Sequence, residues 1–163
     1  MGAGGSKLGS LIGQAVLVGA ALFVISLLVR GVANTIVGAP TRGPAPPPPD
    51  AGTWAVFASW VLLPALIETP FVVYLVRRTN RERVSLALWI MLAIIFGGAW
   101  LLHGASPGTL GQACAFMLMA YMSWDWSRQS GRLAYGLAIL SHAVWNGIGM
   151  AIHLAKHPPQ APG

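Results

Sequence analysis

Acidic side chains are scarce in this sequence: 4 Asp and Glu stand against 10 Lys and Arg in 163 residues, and charged residues together make up only 9 %. Soluble domains carry about a quarter charged residues, so an ordinary water-facing surface is excluded. Cysteine is nearly absent as well. The single thiol, Cys114, lies inside an apolar run, which rules out a disulfide framework and a cysteine-built metal site. No inverted repeat is visible, and that argues against the common transporter designs. A net charge of +6 would point to nucleic acid in a soluble chain. Here the basic residues sit between apolar runs, where they set topology and meet anionic headgroups, so nucleic acid is excluded as a partner.

What the chain has in quantity is apolar length. Hydrophobic residues reach 55 % and the mean hydropathy is +0.65, values that imply an all-α, polytopic membrane helix bundle of about five transmembrane helices, integral to the lipid bilayer. The first run, Leu8 to Val29, is long enough to span and too long for the apolar part of a cleavable signal. It carries Gly9 and Gly13 at GxxxG spacing. Residues 1–37 therefore read as an N-terminal membrane anchor helix, 38–52 as a Pro-rich extended linker, 53–157 as a four-helix membrane core and 158–163 as a tail. The linker sets the first helix apart, so a peripheral position is expected for it. Further spans are expected over Thr53–Val76, Val84–Leu102 and Thr109–Trp124, with the last opening at Gly131. Each of Pro64 and Pro70 removes an amide donor and frees a carbonyl four residues back, at Trp60 and Leu66, so the second span should kink or open near Glu68.

Orientation follows from the cations. Lys7, Arg77, Arg78, Arg81, Arg83, Arg128 and Arg132 fall on one side of such a bundle, leaving Arg30, Arg42 and Lys156 on the other. This bias places the N-terminus in the cytoplasm and the linker and tail outside.

Within the apolar runs stand a few groups that lipid would penalise: Glu68, His103, and the pair His142 and Asn146, which share one helical face at i, i+4. Each needs a polar partner across a helix interface. Glu68 lies nine residues from Arg77 and His142 ten from Arg132, which puts both about 14–15 Å deep. They can meet, directly or through one water. His103, twenty residues from Arg83, would lie about 30 Å along an unbroken helix, so it joins them only if the third span tilts, starts with an interfacial segment or bends at Gly97-Gly98.

These residues resemble the CAAX-protease and bacteriocin-processing family of glutamic intramembrane proteases, whose pattern is Glu-Glu-x-x-x-Arg, then Phe-x-x-x-His, then His-x-x-x-Asn on membrane helices. His142-Ala143-Val144-Trp145-Asn146 matches the third motif, and the resemblance covers about residues 60 to 150. Thr69 stands for the second acid and Val73 for the arginine if Glu68 is the first acid; Ile67 and Val72 stand there if it is the second. Ala99 replaces the phenylalanine, with Phe96 or Trp100 able to fill that space. The resemblance implies peptide hydrolysis with no metal and no cofactor. Glu68, assisted by His103, would deprotonate a water, while His142 and Asn146 would donate to the oxyanion. The substrate would be a membrane-proximal peptide or protein. Other readings of the same residues are a noncatalytic subunit bound to other membrane-complex subunits, a purely structural polar cluster, and haem or pigment ligation by His103 or His142.

Overall fold

A computed structural model of the chain describes residues 3–37, 53–79 and 84–156, with side chains from Leu8 in the first stretch and from Trp54 in the second. The linker 38–52, the tail 158–163 and the cations Arg42, Arg81 and Arg83 lie outside the described residues. Among the described residues every regular element is helical. Helix α1 covers Ala3–Val37. A short α2, Thr53–Phe57, runs through a π-helical turn at Ala58–Leu62 into α3, Leu63–Arg77. Then come α4, Leu86–Leu102, a 3₁₀ turn at Pro107–Thr109, α5, Leu110–Gln129, and α6, Gly131–Lys156. Three stretches are long and apolar enough to cross a membrane: Leu8–Val37, Trp54–Arg77 and Gly131–Lys156. Leu86–Leu102 is apolar but shorter.

The prolines act differently from the expectation. The opening comes before Pro64, not at Glu68. Pro64 cannot donate to Trp60, and the preceding turn widens so that Leu63 N–H donates to the Ala58 carbonyl, a five-residue step. Pro70 is carried inside α3 without a break. Glu68 and Thr69 therefore project from continuous helix, which holds their side chains in a fixed register.

Directions follow from which residues meet. Trp60, Thr69 and Arg77 of the α2–α3 segment face His153, His142 and Tyr135 of α6, so that segment runs antiparallel to α6. Phe116 of α5 meets Trp145, and Trp126 shares a core cluster with Ala134, so α5 and α6 form an antiparallel hairpin turned at Ser130. Helix α1 runs parallel to α6, since Ser141 Oγ donates to Ala15 O at 2.9 Å and Gly149 lies near Phe23. Between α4 and α5, Ser106 caps the 3₁₀ turn. The end of α4 closes as a Schellman motif: Ala105 N–H donates to Trp100 O and Gly104 N–H to Leu101 O. That motif needs a left-handed residue, and Gly104 supplies it with φ of 97°.

Contrary to the expectation of a peripheral first helix, α1 packs against both α5 and α6. Ala15, Gly19, Leu22, Ser26 and Ala33 form its inward seam at steps of four, three, four and seven residues. Small side chains here let backbones approach. A Cβ on Gly19 would lie 2.5 Å from the Ser141 carbonyl oxygen, and one on Gly111 of α5 would overlap the Ser26 carbonyl. Gly9 and Gly13, the pair that the spacing singles out, face open space instead. The outward faces stay apolar: Leu17, Leu28, Ile36, Ile67, Phe71, Leu86 and Leu102 are all exposed.

These contacts make the glycines unequal. Gly111→Ala should destabilise the protein by about 1–3 kcal/mol through overpacking against α1. Gly97→Ala, in open space, should be neutral or slightly stabilising. Thermal unfolding in detergent of the two variants would show the contrast; equal shifts would contradict the α1–α5 contact.

Candidate functional site

The polar residues converge between α3 and α6. His142 is 2 % exposed and Thr69 fully buried, so neither can turn to solvent and each has to find its partner in the protein. They find one another: Thr69 Oγ1 and His142 Nδ1 are hydrogen-bonded at 2.9 Å. On the other side of the ring, His142 Nε2 lies 4.0 Å from Glu68 Oε2, and the Glu68 side chain is 38 % exposed. That separation is too long for a direct hydrogen bond and within reach of one bridging water. Depth counting had allowed this meeting, and the geometry brings it about. One residue of α3 thus fixes the imidazole from inside while its chain neighbour faces the outer edge.

Around this pair stands an aromatic wall. Phe116 of α5 meets His142 edge-on, centroids 5.1 Å apart, and Trp145 stacks on the same imidazole at 5.3 Å. His103, at the C-terminal cap of α4, stacks on Phe116 at 5.7 Å. It therefore comes within one ring of His142 although α4 has no break at Gly97-Gly98. Its partner is Phe116, not the Glu68 carboxylate. Phe116 also lies where a macrocycle shared by His103 and His142 would have to go. The sequence motif had pointed to Phe96 or Trp100 as the ring in this space. Trp100 instead donates its indole N–H to Ser106 O at 3.0 Å, holding the turn after α4.

Asn146 follows His142 by one turn and is partly exposed; among the described residues nothing bonds its amide. The positions of the absent arginine are filled with apolar core: Val73 is fully buried and Val72 nearly so. Arg77 extends away, to the start of α6. Among the described residues no three His, Cys, Asp or Glu side chains gather as a metal site requires.

Thr69, Phe116 and Trp145 are contributors that sequence reasoning missed as site residues. Thr69 was visible only as a substitute for an acid, and Phe116 only as part of an apolar helix. A signal for Thr69 did exist: a hydroxyl beside Glu68 inside a span needs a partner, and His142 is at its depth. Comparison with protein-family models, curated proteins and solved structures finds no match. Function is therefore read from the site's own chemistry.

Thr69→Val keeps the shape and removes the hydroxyl, leaving Nδ1 of a sealed imidazole without a partner. The expected cost is about 1–2 kcal/mol, read as a lowered unfolding midpoint, with Thr69→Ser close to wild type. A Thr69→Val protein as stable as wild type would show that the bond carries no weight.

Proposed function

We propose that this chain is a multi-pass membrane protein of five crossing segments, N-terminus in the cytoplasm, in which Glu68 and His142 form a metal-independent proteolytic centre of the glutamic intramembrane type. The observation that carries it is the approach of a carboxylate to an imidazole inside an apolar helix bundle, since such groups at membrane depth usually serve a function. The turns support the crossing number. If α6 spans, α5 is bound to run back beside it because only Ser130 separates them, and the short turn at 103–109 then returns α4 in the same way.

In this reading Glu68 takes a proton from water, and the hydroxide adds to the scissile carbonyl carbon. With Thr69 as the donor to Nδ1 across their 2.9 Å contact, the ring proton would sit on Nε2, the tautomer needed to donate to the oxyanion beside Glu68. Asn146, with its unbonded amide one turn on, is the second donor. Collapse breaks the C–N bond, and the proton held by Glu68 passes to the leaving amine. His103 acts through Phe116, holding that ring against His142. The exposed edge of Glu68, one turn from exposed Phe71, suits a membrane-proximal peptide that arrives from the lipid side.

A second reading has its own support. His142 is sealed by Phe116, Trp145 and Thr69, as in a polar cluster that locks α3 onto α6 in a noncatalytic subunit of a larger membrane complex. Glu68→Gln separates the two. In a protease it should lower kcat by at least about a thousandfold while leaving the unfolding midpoint unchanged. If no peptide is cleaved by wild type, or wild type and Glu68→Gln cleave alike, the protease reading fails. His142→Ala should then act on stability alone.

Topology has its own check. With Cys114 replaced by Ser, single cysteines at Ala45 and at exposed Val84, in the connection after α3, should react with a membrane-impermeant maleimide from opposite sides. Labelling of both from one side would overturn the five-segment arrangement.

A further inference from the structure

A second polar feature lies at the end of the bundle where α3 finishes and α6 begins. Arg77 is the last residue of one candidate span and Gly131 the first of another. The guanidinium lies directly on Gly131, so close that a Cβ there would stand 2.6 Å from Arg77 Cζ, and its face covers the Tyr135 ring at 5.4 Å. Yet among the described residues Arg77 Nε is buried with no hydrogen-bond partner, and so is Nε1 of Trp126, a side chain 1 % exposed. Both belong to one neighbourhood. Trp126 clusters with Val73, one turn before Arg77, and with Ala134, the chain neighbour of Tyr135.

Both orphan groups are donors that cannot accept. Among the described residues the two carboxylates are engaged elsewhere: Glu68 faces His142 and Asp125 is 3.8 Å from Arg128. Exposed Arg78 and Arg132 stand beside Arg77 in the chain or across the α3–α6 contact, and the start of α6 adds its own positive end. An oxygen-rich anion would suit both donors. At the ends of two spans, the anion at hand is the phosphate of a lipid headgroup.

We propose that Arg77, with the Trp126 indole N–H as the deeper donor, holds the phosphate of an anionic phospholipid at the α3–α6 end of the bundle. The site is separate from Glu68 and does not depend on proteolysis. The test uses the purified full chain in neutral detergent, titrated with short-chain phosphatidylglycerol, short-chain phosphatidylcholine or inorganic phosphate, with the thermal midpoint as readout. Phosphatidylglycerol should raise the midpoint saturably and the other two should not. Arg77→Gln should raise the half-saturating concentration about tenfold. If that variant fails to fold, Trp126→Phe, which removes one N–H and keeps the ring, should weaken the response in the same direction. The proposal is overturned if both lipids act equally, if inorganic phosphate reproduces the effect, or if the variant that folds titrates like wild type.

Discussion

A buried imidazole has to be satisfied by the protein, and the structure depends on how His142 is. Its Nδ1 is bound to Thr69 and its Nε2 faces Glu68, both on α3. Losing the partner would leave a polar ring nitrogen unsatisfied in a tightly packed helix interface. That constraint sets the register of α3 on α6. With it fixed, Trp60 reaches His153 at one end and Arg77 reaches Tyr135 at the other.

Close backbone approach is the complementary force. For helices that cross a membrane there is little hydrophobic gain from bringing two apolar faces together, and contact area and short interhelical bonds would then decide which faces meet. Gly19 and Gly111 are where α1 comes nearest, against Ser141 and against its own Ser26 carbonyl respectively. The Ser141 hydroxyl reaches Ala15 O from the residue just before His142. The first helix is thereby joined to the helix that carries the polar centre, and the two share one packed interior.

Polar groups are consequently sorted by depth along α3 and α6. Mid-depth holds a carboxylate, a hydroxyl and an imidazole that answer one another. The α3–α6 end holds donors in excess, Arg77 and Trp126 with exposed arginines around them. The same two helices thus present an internally balanced centre and an unbalanced cationic end, and the chemistry each can support differs for that reason.

Much of this was legible in the sequence because depth along a helix is a one-dimensional count. Run lengths gave the helical class and several element boundaries, although α1 and α5 continue to Val37 and Gln129, past the expected ends at Val29 and Trp124, and counting from the arginines put Glu68 and His142 at one level. Two kinds of feature could not be read that way. The π-helical turn before Pro64 depends on which carbonyl the chain finds it easier to reroute, and Pro70, with the same local chemistry, causes no break. The azimuth of each helix is the other. It turns by about 100° per residue, and helices that are apolar on every side carry almost no signal for which face turns inward. Hence Gly9 and Gly13 look like a contact and are not, while Gly19 is one; Thr69 looks like a vacant acid position and is the partner of His142; Phe116, not a residue of α4, supplies the ring between His103 and His142. Sequence alone determined that Glu68 and His142 lie at one depth, while the count set His103 farther along its helix than its stacking on Phe116 shows. Only the tertiary structure decided what faces what, because rotation about a helix axis is settled by packing against the neighbours.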